Sequence, residues 1–262
     1  MYTPAQRDEL RRELLALARA DPRITGGAIT GSASMDREDA WSDIDLAFGV
    51  RRADELPAVL QDMTEHMYAH HGAIERLDVI REPWIYRVFI LPSTLQVDLA
   101  FAPADAFGAR APTFRLIFGV AQEPKYAGAP VVEELIGYAW LYALHARSSI
   151  ARNKVWQAEY MIGNVRDHVL AIACRRLGLP AVEGRGMDAL PADVADPLRD
   201  ALVRSLEPAE LRRALSAVID ALLREIGAHD PTLAGRLDAV LRDLVATAHP
   251  VRRPDDAAPP GA

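Results

Sequence analysis

The sequence predicts an α+β protein in which a small mixed sheet with helices comes first and an all-α helical bundle follows. Short β-prone runs alternate with helical patterns over the first half of the chain. An Ala-Gly-Ala-Pro segment at 127–130 interrupts this pattern, and helix formers without a convincing strand follow it. We therefore expect a first domain over residues 1–128, a helical domain over 129–249 and a disordered tail over 250–262.

The first domain is expected to begin with an amphipathic helix. Thr3 is a suitable N-cap before a first-turn proline, and Leu10, Leu14 and Leu17 form one apolar stripe. The remaining elements expected here are strands over Ile24–Thr30 and Ile44–Val50, helices over 33–40 and 54–71, a strand over 73–80, and a hairpin of strands over 86–91 and 95–101.

The second domain is expected to be a helical bundle. Helices are predicted over 131–146 and 154–177, and an exposed loop over 178–189. Pro208 and Pro231 occupy positions typical of a first helical turn, so two further helices should begin there. Together these helices are expected to form a bundle.

Composition narrows the class of protein. The 262 residues carry a net charge of −7 with acids spread along the chain, which disfavours nucleic acid as a partner because a duplex binder needs a basic stripe. No apolar run reaches the roughly 20 residues of a membrane span, and the first residues lack the apolar centre of a signal peptide. We therefore expect a cytoplasmic protein without membrane contact. The single cysteine excludes an internal disulfide and offers no zinc site.

The most informative stretch is a Gly31-Ser32 turn followed by two acids, Asp43 and Asp45, at the start of the next predicted strand. Strand side chains alternate, so these acids share a face about 6.6 Å apart. Two charges at that spacing repel by roughly 2 to 3 kcal/mol at an effective dielectric near 20. A cation would compensate this repulsion, and Mg2+ takes carboxylate, phosphate and water oxygens as ligands. The sequence therefore predicts a magnesium site.

A third acid, Asp98, lies within a predicted strand whose other residues, including Val97 and Leu99, are apolar. An unpaired carboxylate is costly in such a setting, so Asp98 should have a partner. Glu75 and Asp78, on or beside another predicted strand, are alternatives for the third acid. We rank them lower because their surroundings are less apolar.

The order of Gly-Ser, Asp-x-Asp and a lone Asp on a later strand resembles the nucleotidyltransferase superfamily, which includes polymerase-β-like enzymes. Here it consists of Gly31, Ser32, Asp43, Asp45 and Asp98. The Ser-Asp-Ile-Asp-Leu stretch and the helical C-terminal half are most similar to antibiotic nucleotidyltransferases that act on aminoglycosides or lincosamides. The resemblance covers residues 24–101 well. It implies transfer of a nucleoside monophosphate, AMP from ATP, to a hydroxyl of a small molecule, with release of pyrophosphate.

The resemblance also implies roles for these residues. Asp43 and Asp45 would hold Mg2+, and Ser32 with amides near Gly31 would hold the β and γ phosphates. Asp98 would either complete the metal site or accept the proton of the acceptor hydroxyl. The sequence leaves both roles open.

A basic residue from the helical domain often neutralises the triphosphate in such enzymes, and Lys154, together with Arg152, matches by position. The alternative is that both are solvated surface cations. The resemblance places the active site between the domains and implies a homodimer.

Other hypotheses stay open from sequence alone. The acceptor could be a protein side chain or an RNA end, or the chain could be an inactive nucleotide-binding regulator. Trp41 could stack on a base or acceptor ring, or pack at the strand start. His66 and His70 share a helix face, and we expect that face to be exposed because no third metal ligand is suitably spaced.

Overall fold

A computed structural model of the chain describes residues 2–250. The chain divides into two compact units, one over residues 1–127 and the other from Gly128 onward. Apart from Pro250, the predicted tail at 250–262 lies outside the described residues. Over the described part of the chain, none of the helices combines the length and apolar character that crossing a bilayer requires.

The first unit contains the predicted mixed sheet, which has six strands in the order β3-β4-β5-β2-β1-β6. Strands β2 and β5 are parallel, and every other neighbouring pair is antiparallel. The strands are β1 (Ile24–Thr30), β2 (Ile44–Val50), β3 (Glu75–Arg81), β4 (Trp84–Ile90), β5 (Gln96–Pro103) and β6 (Phe114–Gly119).

Two helices, α1 (Pro4–Ala20) and α2 (Leu56–His71), cover one face of this sheet. Thr3 caps α1 as predicted, because its hydroxyl accepts from the Gln6 amide and the Gln6 side chain accepts from the Thr3 amide in return. The core under these helices includes Leu14, Phe48 and Met67, all fully buried. Burial of this apolar face is what holds the strands in register.

The opposite face of the sheet is where the acids lie. Along β2 and β5, the residues Leu46, Phe48 and Leu99 belong to the helix-covered core, whereas the alternate positions belong to a separate small cluster that contains Ala47 and Ala100. Asp45 and Asp98 share this second face because side chains alternate along a strand. The apolar neighbours that we expected to surround Asp98 therefore point to the other side of the sheet.

Two local predictions in the first unit were wrong. The helix expected over 33–40 is a 3-10 turn at Ser32–Met35, and it ends at Asp36, whose φ of 54° is left-handed. Strand β6 was not predicted, because its residues are mostly half-buried or exposed and show no clear alternation. Pairing with β1, not a local pattern, makes this segment a strand.

The described part of the second unit is helical, as predicted. Its helices are α3 (Val132–Ala151), α4 (Val155–Arg176), α5 (Ala192–Arg199), α6 (Pro208–His229) and α7 (Pro231–Ala246). Pro208 and Pro231 are the first residues of α6 and α7. Residues such as Ile162, Val165 and Leu215 are fully buried in one shared core. Helix α5 was not predicted.

Candidate active site

The structure brings the three predicted acids together. Strands β2 and β5 are parallel neighbours whose register places Asp45 directly beside Asp98. Asp43 lies one residue before β2. One carboxylate oxygen from each of the three side chains lies within 4.8 Å of those of the other two. Three acids that are up to 55 residues apart in sequence therefore form one acidic cluster.

The turn after β1 borders this cluster. Gly31 has φ 62° and ψ −151°, a conformation that is essentially restricted to glycine. A Cβ atom at this position would lie only 1.9 Å from Oδ2 of Asp45. Glycine is therefore required for two reasons, its backbone conformation and the close approach of the Asp45 carboxylate to the main chain.

Ser32 opens the 3-10 turn and is half-buried. The turn is held by Ser34, whose hydroxyl donates to the Gly31 carbonyl at 2.8 Å, and by Arg115 of β6, which donates to the Ala33 carbonyl at 2.8 Å. This four-residue turn takes the place of the helix that we expected over residues 33–40. The sequence analysis missed both Ser34 and Arg115.

Gln96 is a further contact that the sequence analysis missed. Its side-chain nitrogen donates to Asp98 at 3.0 Å and lies 3.4 Å from Asp43. Gln96 precedes Asp98 by two positions on β5, so strand alternation alone could have placed both on one face. The amide therefore links two of the three carboxylates.

Burial and like charge perturb Asp98. The pKa of Asp98 is raised to about 6: loss of solvent is the main cause, the Gln96 hydrogen bond opposes the shift, and the neighbouring Asp43 charge adds to it. Within residues 2–250, neither Asp43 nor Asp98 forms an ion pair with arginine, lysine or histidine. The cluster thus concentrates negative charge in a half-buried position, which is a setting that favours cation binding.

The two alternatives for the third acid are placed elsewhere. Asp78 of β3 pairs with Arg87 of β4 at 2.6 and 2.7 Å, and this hydrogen-bonded arginine lowers the pKa of Asp78. Arg87 is buried and also donates to the Thr64 hydroxyl of α2 at 2.6 Å. Glu75 is exposed at the start of the edge strand β3. Asp78 therefore ties the sheet to α2, and neither acid joins the cluster.

Helix α1 anchors the loop that leads into Asp43. Arg7 donates to the Asp39 carbonyl at 2.6 Å, and the Tyr2 hydroxyl donates to the Ser42 carbonyl at 2.8 Å. Glu38 in the same loop pairs with Arg7 at 3.1 Å and accepts from Arg11 at 3.0 Å. Both arginines are buried. These contacts, which local sequence patterns do not reveal, position the chain just before the acidic cluster.

Trp41 lies in this loop and its side chain is 77% exposed. The alternative that it packs at the start of the strand is therefore wrong. Arg152 and Lys154 are exposed residues of the second unit, where they cap the end of α3 and the start of α4. Their role in binding phosphate stays a prediction.

We expected His66 to lie on an exposed helix face, and this expectation was wrong. Its side chain is only 18% exposed, and its ring approaches Glu13 of α1 and His71 at the end of α2. His70 instead stacks on the His66 ring. The partners of His66 were missed because Glu13 lies on another helix and His71 is five residues away.

Comparisons with known proteins find similarity among solved structures only. No family model matches the sequence. No curated protein matches it either. Among solved structures, the chain is similar to an aminoglycoside 6-adenyltransferase from Bacillus subtilis, with 12% sequence identity and a TM-score of 0.42 over 88% of this chain and 95% of that one.

Proposed function

We propose that this chain is a Mg2+-dependent nucleotidyltransferase. It would move a nucleoside monophosphate, most directly AMP from ATP, to a hydroxyl of a small molecule and release pyrophosphate. The convergence of Asp43, Asp45 and Asp98 beside the Gly31 turn is the observation that carries the proposal. The motif resemblance suggests an aminoglycoside or a lincosamide as the acceptor.

The acidic cluster fits a magnesium ion. Ligands of octahedral Mg2+ at about 2.1 Å lie roughly 3 to 4 Å apart, and the three carboxylate oxygens, which lie within 4.8 Å of one another, need at most small side-chain rotations to reach that range. Carboxylate oxygens are the hard ligands that this ion prefers. When bound, the ion would neutralise phosphate oxygens and the negative charge that develops during transfer.

The protein's own groups supply the remaining functions. Asp43 and Asp45 would orient the bound ion, and the Ser32 hydroxyl, beside the Gly31 turn, would bind the outer phosphates. The motif resemblance implies that Arg152 and Lys154, both exposed, neutralise the triphosphate, and this role stays a prediction.

Asp98 has two chemically reasonable roles in this proposal. With a pKa near 6 it is mostly ionised at pH 7.5, yet it is more basic than an ordinary aspartate, as a general base should be. Gln96 would hold it in place for accepting the acceptor's proton. Alternatively, Asp98 completes the metal site. Asp98→Asn separates these roles, because loss of a base abolishes turnover but spares MgATP binding, whereas loss of a ligand weakens both.

The test is pyrophosphate release with Mg2+ and ATP in the presence of aminoglycosides and lincosamides. We expect the wild type to turn over at least one acceptor and Asp45→Asn to lower the rate by at least about a hundredfold. Asp105→Asn, an exposed aspartate of the same unit, is the matched control and should keep full activity.

Failure with every acceptor is also informative. If labelled AMP then appears on a protein in a lysate, the chemistry stands and the acceptor class is wrong. If ATP binds without any transfer, the chain is a nucleotide-binding regulator. If Asp45→Asn is as active as Asp105→Asn, the acidic cluster is not the site of the reaction.

A further inference from the structure

A second group of potential metal ligands lies between α1 and α2, on different residues from the acidic cluster. Oε1 of Glu13 is 3.0 Å from Nε2 of His66 and 3.1 Å from Nε2 of His71. The two Nε2 atoms are 3.3 Å apart. The histidine side chains are 18% and 16% exposed, so both rings are largely withdrawn from water.

Hydrogen bonds alone do not satisfy this triangle. An ionised glutamate only accepts, and Nε2 of a neutral imidazole either donates or accepts. If both histidines donate to Glu13, their two N–H groups face each other. If one donates and the other accepts, the accepting Nε2 faces the carboxylate oxygen. In each arrangement two donors or two acceptors face each other along one side of the triangle. A central cation, in contrast, would bind a lone pair from each of the three atoms.

We propose that Glu13, His66 and His71 bind a divalent first-row transition metal such as Zn2+. Two ligands of a tetrahedral zinc at about 2.0 to 2.1 Å lie about 3.3 Å apart, close to the 3.0 to 3.3 Å found here. Two imidazoles and one carboxylate form a donor set that zinc uses, and the fourth position is left for water or another small ligand. Imidazole nitrogen also favours such metals over Mg2+.

The neighbouring histidine does not belong to the site. Nδ1 of His70 lies 3.3 Å from the His66 carbonyl of its own helix, and its ring stacks on His66 with centroids 4.5 Å apart. Since the three ligands come from two helices of one unit, a bound ion would also cross-link α1 to α2.

Calorimetric titration of the untagged, metal-stripped full chain with Zn2+ tests the proposal. Excess Mg2+ is present throughout so that the acidic cluster does not compete. The wild type should bind one equivalent, and His71→Ala and Glu13→Gln should each weaken binding by at least about tenfold. His70→Ala and Asp45→Asn should bind zinc like the wild type.

Two further measurements distinguish a metal site from a structural contact. Co2+ should give a visible absorption band typical of four or five ligands in the wild type and in His70→Ala, and this band should be lost in His71→Ala. Zinc should raise the Tm of the wild type but not that of Glu13→Gln, in which the side chain keeps its shape and loses its charge. The proposal is overturned if no zinc binds, or if zinc binds equally well to the wild type and to both ligand variants.

Discussion

Replacing Asp98 by Asn should make the metal-free protein more stable at alkaline pH. An ordinary aspartate ionises near pH 3.8, whereas burial raises the pKa of Asp98 to about 6. The folded chain therefore binds an extra proton between these values, and its stability falls as pH rises from about 4 to 6. A shift of about two units corresponds to about 3 kcal/mol, which partial exposure reduces to about 1 to 2 kcal/mol.

The asparagine variant avoids this loss, because its neutral amide oxygen still accepts from Gln96. We expect Asp98→Asn to exceed the wild type by about 1 to 2 kcal/mol in free energy of unfolding at pH 8, and the difference to approach zero below pH 4. Urea unfolding without divalent ions measures this. Replacing Trp140 and Trp156 of the second unit by Phe lets the buried Trp84 report the first unit.

The exposed Asp105→Asn variant is the control, and its stability should follow the wild type at every pH. The reasoning is refuted if Asp98→Asn is less stable than the wild type at pH 8. A stability difference that stays constant between pH 4 and pH 8 would refute it equally, since the effect would then not arise from ionisation.

Three other substitutions test the local structure. Gly31→Ala puts a methyl group against the Asp45 carboxylate, so it should lower the free energy of unfolding in urea by about 2 kcal/mol and lower pyrophosphate release at least tenfold. An unchanged urea midpoint would contradict the turn geometry. Glu38→Gln removes the nearer carboxylate of two buried arginines of α1 and should cost about 2 kcal/mol. This is less than the cost of breaking a fully buried pair, because Asp8 still lies 3.7 and 3.5 Å from the two arginines and backbone carbonyls still accept from Arg7. Ile162→Ala, in the buried face of α4, should lower the free energy of unfolding by about 3 kcal/mol. Tyr160 is 61% exposed on the same helix, so Tyr160→Ala should lower it by less than about 1 kcal/mol. Equal losses would contradict the assigned core face.

Local patterns in the sequence predicted much of the fold. The bounds of β1 and β2 follow from their apolar, β-prone runs, and the start of α1 follows from Thr3 and the proline after it. The start of α6 follows in the same way from Pro208. Such signals act over a few residues, so they are present in the sequence before any tertiary contact forms.

The same signals predicted the acidic residues as candidates but not the details of their surroundings. Alternation along β2, continued one residue back to Asp43, accounts for the shared face of Asp43 and Asp45. The third acid depends on which strand lies beside β2. That strand is β5, whose parallel register places Asp98 next to Asp45, whereas Asp78 on β3 pairs with Arg87. That register arises from burial of the helix-covered face over long sequence separations.

Contacts between distant elements were decided only by the tertiary structure. Glu38 meets the arginines of α1, and Glu13 meets His66 and His71, because packing of the helices on the sheet brings these elements together. Strand β6 likewise exists because β1 offers an unpaired edge. The sequence by itself thus determined most of the elements and the chemical types available. Only the folded chain decided which side chains meet, because long-range packing, not local propensity, sets strand order and helix position.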